Sequence, residues 1–178
     1  SEEDRVDTPI SLYAATKKEN ELQAHVYSHL FGLDTVGLRF FTVYGPWGRP
    51  DMAAYLFADA ITAGKPIKVF NHGDMERDFT YVDDITAGII GAVESGLRGA
   101  HVFNLGNSRT VKLERFIRLI EENLGKEAEK ELLPLQPGDV PRTNADITKA
   151  KKELGFDPET PIEDGLKRFL DWYKEYGI

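Results

Sequence analysis

Short runs of β-branched and aromatic residues alternate along this chain with longer stretches of helical periodicity. That alternation restricts the fold more than any single motif does. The run Thr35 to Val43 (TVGLRFFTV) is too short for an independent helix and suits a buried parallel strand. Pro66 to Phe70, Asp78 to Val82 and His101 to Leu105 read as further strands, with Leu132-Leu133 as a last one. Between them helices are expected at Leu12–Phe31, stopped by Gly32, and at Met52–Ala63, closed by Gly64. Another runs to about Ser95 with Asp83-Asp84 as its cap. A fourth follows Thr110, which is also read as a cap, with Val111, Phe116, Ile117, Ile120 and Leu124 at helical spacing. Two closing helices are expected near 147–154 and 161–175. Ser1 to Pro9, Tyr44 to Pro50, Asn71 to Asp74 and Gln136 to Pro141 are loops of turn residues. Strands alternating with helices define an α/β fold.

The length of 178 residues suits one domain with a proper core, and 41% apolar with 29% charged residues is an ordinary globular balance. No apolar run approaches 18 residues and no basic-then-apolar leader opens the chain, so no membrane span is expected and the cytoplasm is the default location. The absence of cysteine excludes disulfides and thiolate zinc sites. A net charge of −8 argues against a general nucleic-acid surface, though a few convergent cations can still hold an anionic ligand.

Within the first helix, Tyr13 and Lys17 stand four residues apart and so share a helical face. An ammonium beside a phenol favours the phenolate, which makes the tyrosine a usable general base near neutral pH. Leu22, Val26 and Leu30 form an apolar stripe on the same helix, roughly opposite Tyr13, Lys17, Ala24, Ser28 and Phe31. That pattern predicts a helix covered on both faces, one by a sheet and one by a partner. His25 and His29, spaced i, i+4, have no glutamate after His25 and no third ligand, so no metal site is read there. Asp83-Asp84 is read as a cap and not as an acid–base pair, and the charged runs Lys126 to Glu131 and Lys149 to Glu153 as solvated helix faces.

Several segments together resemble the extended short-chain dehydrogenase/reductase family, in particular its NAD-dependent nucleotide-sugar epimerases and dehydratases. They are Tyr13-Ala14-Ala15-Thr16-Lys17, the run from Leu38 to Pro46 (LRFFTVYGP), the run from Arg77 to Asp84 (RDFTYVDD) and Phe103-Asn104-Leu105-Gly106. Pro137 to Pro141 (PGDVP), Ala145 to Ala150 (ADITKA) and Leu154-Gly155-Phe156 continue the series in the family's order. The stretch from Phe41 to Ala53 is most similar to UDP-glucuronic acid 4-epimerases. One departure is large: no glycine-rich strand–turn–helix for a dinucleotide pyrophosphate occurs here, nor does the family's catalytic Ser/Thr before Tyr13. The resemblance therefore implies the C-terminal half of such an enzyme. Residues 1–50 would hold the catalytic helix and the following Rossmann strand, and residues 51–178 mainly the sugar-nucleotide part.

By that resemblance NAD is the cofactor, Tyr13 takes and returns the sugar hydroxyl proton, and Lys17 bonds the nicotinamide ribose and lowers the Tyr13 pKa. Phe40 lies near the nicotinamide, while Thr42, two residues on and on the same strand face, touches the hexose. Arg49, at the tip of the Pro/Gly loop, is a fork for a sugar carboxylate or for a phosphate. Lys68 and Phe70 hold uracil, Arg77 the diphosphate, and Gln136 and Asp139 the ribose; Arg142, nearby, is read as solvated. The activity implied is epimerisation of a UDP-sugar at carbon 4, most closely UDP-glucuronate to UDP-galacturonate. The alternatives are a UDP-glucose 4-epimerase, a dehydratase or decarboxylase of the same family, or a non-catalytic UDP-sugar-binding fragment. A homodimer through helix 12–31, with helix 52–63 beside it, is expected for the intact enzyme, and weak NAD binding without turnover for this chain alone.

Overall fold

A computed structural model describes residues 1–176. The first helix, α1 (Leu12–Phe31), starts where the Ser11 hydroxyl accepts the Ala14 N–H at 3.1 Å, and stops at Gly32, whose left-handed backbone returns its N–H to Ser28. It lies on two parallel strands, β1 (Thr35–Phe40) and a later strand at Ala100–Leu105. No α1 residue is fully buried; the half-buried positions are small or polar, among them Ala14, Ala24 and Ser28. The stripe expected to be covered on the far side is open, with Leu22 57%, Val26 47% and Leu30 64% exposed.

The single strand expected over Thr35–Val43 is two strands. Phe41 still donates its N–H to Leu105, then β2 (Thr42–Tyr44) changes partner and runs parallel to the strand Glu76–Tyr81, with Thr42 opposite Phe79. The chain thus passes from one sheet to another within one residue. Helix α2 (Ala53–Thr62) leads to β3 (Ile67–Val69), shorter than PIKVF because Phe70 already begins a 3-10 turn, Phe70–Gly73. Next come β4, the strand Glu76–Tyr81 just mentioned, helix α3 (Val82–Glu94) and β5, the partner of β1.

Thr110 is not a helix cap. It opens a strand unforeseen from sequence, β6 (Thr110–Lys112), which pairs antiparallel with β4, and its hydroxyl bonds Glu76 at 3.0 Å. Helix α4 (Leu113–Leu124) begins only afterwards. Strand β7 (Lys130–Leu132) pairs parallel with β3, and helices α5 (Thr148–Leu154) and α6 (Ile162–Tyr176) close the described chain. Nor do Asp83 and Asp84 cap α3: they lie in its first turn, where negative charge suits the helix dipole, and Asp84 accepts the N–H groups of Glu159 and Thr160 at 3.4 and 3.2 Å.

Two apolar cores hold these layers. Phe57, Ile61, Phe79, Phe116, Ile120 and Phe169 bury α2, α4 and α6 against β2 and β4, with Phe79 and Phe116 stacked. Ile85, Phe103, Leu105, Ala145, Ala150 and Phe156 bury α3 and α5 against β5. Tyr44 sits in the first core with a hydroxyl that finds no partner, and burial pushes its phenol well above the ordinary range. Helix α6 can approach that hydroxyl only because residue 165 is glycine; any Cβ there would occupy the space of the Tyr44 oxygen.

Candidate active site

The Ser11 cap sets the start of α1 so that Tyr13 and Lys17 project together into an open cleft of about 760 Å³. The Lys17 ammonium stands 5.2 Å from the centre of the Tyr13 ring, and Tyr13 is 72% exposed, so its hydroxyl is accessible. Phe40 and Thr42 face the same cleft from the end of β1 and the start of β2. Four residues expected near a nicotinamide and a sugar are thereby brought together. The wall behind them is an ion pair: the Arg39 guanidinium forks onto Glu21 at 2.6 and 2.9 Å, with Lys18 at 3.8 Å from the same carboxylate. The Arg39 hydrogen bond holds the Glu21 carboxyl below its usual range, and Glu21 in return raises Arg39.

Past β2 the chain turns at Gly45, where φ is +145° and an added Cβ would lie 2.5 Å from Val82, so only glycine fits. The loop carries Arg49 back so that Thr42 and Arg49 line one smaller pocket with Met52, Tyr55 and Phe79. Thr42 thus borders both spaces. The Arg49 side chain forks onto Asp51, its Nε donating at 3.0 Å, which holds the Asp51 carboxyl low and the guanidinium high. This pair is solvent-exposed and screened by water, so an incoming carboxylate can replace Asp51.

A second cluster forms around Arg77, which is largely buried and donates to Asp139 at 2.8 Å and to the Glu76 carbonyl at 3.0 Å. The two residues expected to meet diphosphate and ribose therefore touch each other. Their loop leans on the start of α1, since a Cβ on Gly138 would lie 3.6 Å from Ser11 Cβ. Arg142 lies against Glu76 at 3.4 Å. Lys68 is exposed between the buried Ile67 and Val69 on β3, and Phe70 is half-buried. The Leu133 N–H bonds Val69 at 2.9 Å, so the chain leading to Gln136 starts beside that pair. Lys68, Phe70 and Gln136 do not line the Tyr13 cleft.

Sequence reasoning missed Asn104, Thr143 and Asn144, which also line the cleft, and the Glu21–Arg39 pair. These come from distant segments, and their polarity alone did not mark them: parallel pairing sets Asn104 opposite Arg39, and backbone bonds to β4 hold Thr143. It also missed the part played by Asp78, which is fully buried. Its carboxylate accepts the N–H groups of Asn107 at 2.6 Å, Ser108 at 3.0 Å and Ala145 at 2.9 Å, binding β4, the loop after β5 and the 143–145 segment.

A Rossmann-like α/β layering with a Tyr/Lys pair opening into a cleft defines the class. Residues 1–106 match the NAD dependent epimerase/dehydratase family, and this chain belongs to that family. An uncharacterized protein of Methanocaldococcus jannaschii is 58% identical over 175 residues, which is 98% of this chain and 53% of that protein. UDP-glucuronate 4-epimerase 4 of Arabidopsis thaliana is 46% identical over 99% of this chain and 44% of its own length. Among solved structures, UDP-glucuronic acid 4-epimerase from Bacillus cereus, in complex with UDP-glucuronic acid and NAD, superposes with a TM-score of 0.91 at 37% identity. That match covers 97% of this chain and 55% of the other. The chain spans about half the length of the relatives it matches. NAD is the family's cofactor. Tyr13, Lys17 and Phe40 line one open cleft, while no glycine-rich turn for a dinucleotide pyrophosphate occurs in this sequence.

Proposed function

We propose that the protein to which this chain contributes epimerises a UDP-sugar at carbon 4, with UDP-glucuronate as its principal substrate and UDP-galacturonate as the product. The observation that carries this reading is Thr42, which borders both the Tyr13/Lys17 cleft and the Arg49 pocket. A sugar seated there offers its carbon-4 hydroxyl to the Tyr13 phenol and its carboxylate to Arg49. Tyr13 takes the hydroxyl proton on oxidation and returns it on reduction, and Lys17, beside it on the same helix face, bonds a ribose hydroxyl. NAD, when bound, supplies the hydride chemistry that no side chain can. Arg77, held by Asp139, faces the diphosphate, and Asp139 and Gln136 the ribose; Lys68 and Phe70 flank the uracil. The chain forms the C-terminal half of the enzyme and is inert alone, because the pyrophosphate-binding turn lies outside it.

The fork of Arg49 onto Asp51 favours a second reading, a neutral sugar such as UDP-glucose, for which Arg49 stays paired. The two readings separate by kinetics of the full-length enzyme on both substrates. A hydrogen bond to a charged group is worth about 1.5–3 kcal/mol, so Arg49→Ala should lower the UDP-glucuronate to UDP-glucose efficiency ratio about 10- to 100-fold. Thr42→Asn should move it the same way by less. A wild type that prefers UDP-glucose, or ratios unchanged in both variants, overturns the glucuronate reading.

A further inference from the structure

Gly48 and Tyr55, which line the Thr42/Arg49 pocket, also line a separate cavity of about 280 Å³ between the Gly45–Pro50 loop, α2 and α6. Its other side chains are almost all aromatic. The Trp47 ring centre lies 5.1 Å from that of Trp172 and 6.0 Å from that of Tyr176, and Tyr55 lies 5.9 Å from Trp172. The polar exception is Asp59, whose carboxylate accepts the Tyr173 hydroxyl at 2.6 Å. Among the described residues no lysine, arginine or histidine lines this space. Trp47 is 80% exposed and holds a left-handed backbone with φ +60°, a conformation that bulky side chains rarely adopt. A surface tryptophan in that conformation is held in position by its surroundings; here those surroundings turn its ring toward α6.

We propose that this cavity binds an organic cation of the quaternary alkylammonium type. Indole and phenol faces carry the negative side of a quadrupole, so several rings around one space attract a cation placed between them. Asp59 adds a full negative charge at the wall, and nothing there opposes it. A quaternary ammonium has no N–H to satisfy, and its methyl groups pack on ring faces. A primary ammonium or guanidinium would lose hydration with one carboxylate to replace it. The chain's net charge of −8 draws cations to the surface as well. This site is distinct from the sugar-nucleotide site and does not depend on the epimerase reading.

The test is direct binding to the full-length protein. Choline chloride is titrated against tryptophan fluorescence and by calorimetry at constant ionic strength, beside 3,3-dimethyl-1-butanol, which has the same shape without charge. Choline should quench saturably in the millimolar range, and the neutral alcohol should bind at least about tenfold more weakly, a difference of about 1.4 kcal/mol. Trp47→Ala and Asp59→Asn should each weaken choline about tenfold while circular dichroism stays unchanged. Both residues are exposed, and asparagine can still accept the Tyr173 hydroxyl. Equal affinity for the alcohol, no saturation below roughly 50 mM choline, or unchanged affinity in both variants overturns the proposal.

Discussion

At the scale of single residues, Asp78 shows how a charge can serve the fold instead of the chemistry. Its carboxylate is fully buried and takes three backbone N–H groups from two separate segments. Removing it leaves those donors buried without partners, each costing about 1–3 kcal/mol. Asp78→Ala should therefore destabilise the protein by about 3–5 kcal/mol, a large part of the 5–15 kcal/mol typical of a domain. Asp78→Asn keeps one acceptor oxygen and should cost less. Urea unfolding of wild type and both variants measures this, and a loss below about 1 kcal/mol for alanine would refute the assignment. Asp78 was visible as part of a motif, but its partners were not, because they lie about thirty and more than sixty residues away in sequence.

At the scale of elements, α1 and β1 are joined less by apolar packing than by the Glu21–Arg39 fork, since the helix buries no residue completely. The Arg39 hydrogen bond lowers the Glu21 pKa in the folded state below its ordinary 4.5. A depressed carboxylate contributes stability that is present above the unfolded pKa and is lost as pH falls through the folded one. The stability advantage of wild type over Glu21→Gln should be full at pH 7 and should shrink only as the pH drops below about 4.5, where the unfolded-state carboxyl also protonates. Denaturant curves of both proteins at pH 7 and at successively lower pH check the sign; an advantage that grows on acidification would contradict it. The order of strands and helices was readable from periodicity, yet the switch of partners at Phe41 and the strand at Thr110–Lys112 were not. Both depend on which backbone edge β4 offers, a property of the assembled sheet.

At the scale of the whole molecule, the stripe Leu22, Val26 and Leu30 on α1 is an exposed apolar surface among the described residues. We propose that it pairs with a second copy in the intact enzyme, as the helical pattern implied. Light scattering on the full-length protein should give a dimer, and Leu22→Glu with Val26→Glu should shift it to monomer at micromolar concentration. A wild type that is monomeric there rules this out. Strand β1 bonds only to β5 among the described residues, so its other edge is also unpaired. The chain spans about half the length of the relatives it matches.

The sequence by itself determined the α/β class, the helix that bears Tyr13 and Lys17, and the family, because these rest on local periodicity and on motifs a few residues long. Phe40 and Thr42 do line one cleft, but Arg39 and Phe41 line it too, across the break between β1 and β2, so the two-residue repeat of an extended chain does not account for it. Tertiary structure alone decided what each charged group does. Arg77 could be read as a ligand for phosphate, but its pairing with Asp139 spans 62 positions. Asp78 could be read as one more acid of a motif, but its bonds to Asn107 and Ala145 span 29 and 67 positions. Charges act through space over a few ångströms, and only the folded backbone sets which of them come that close.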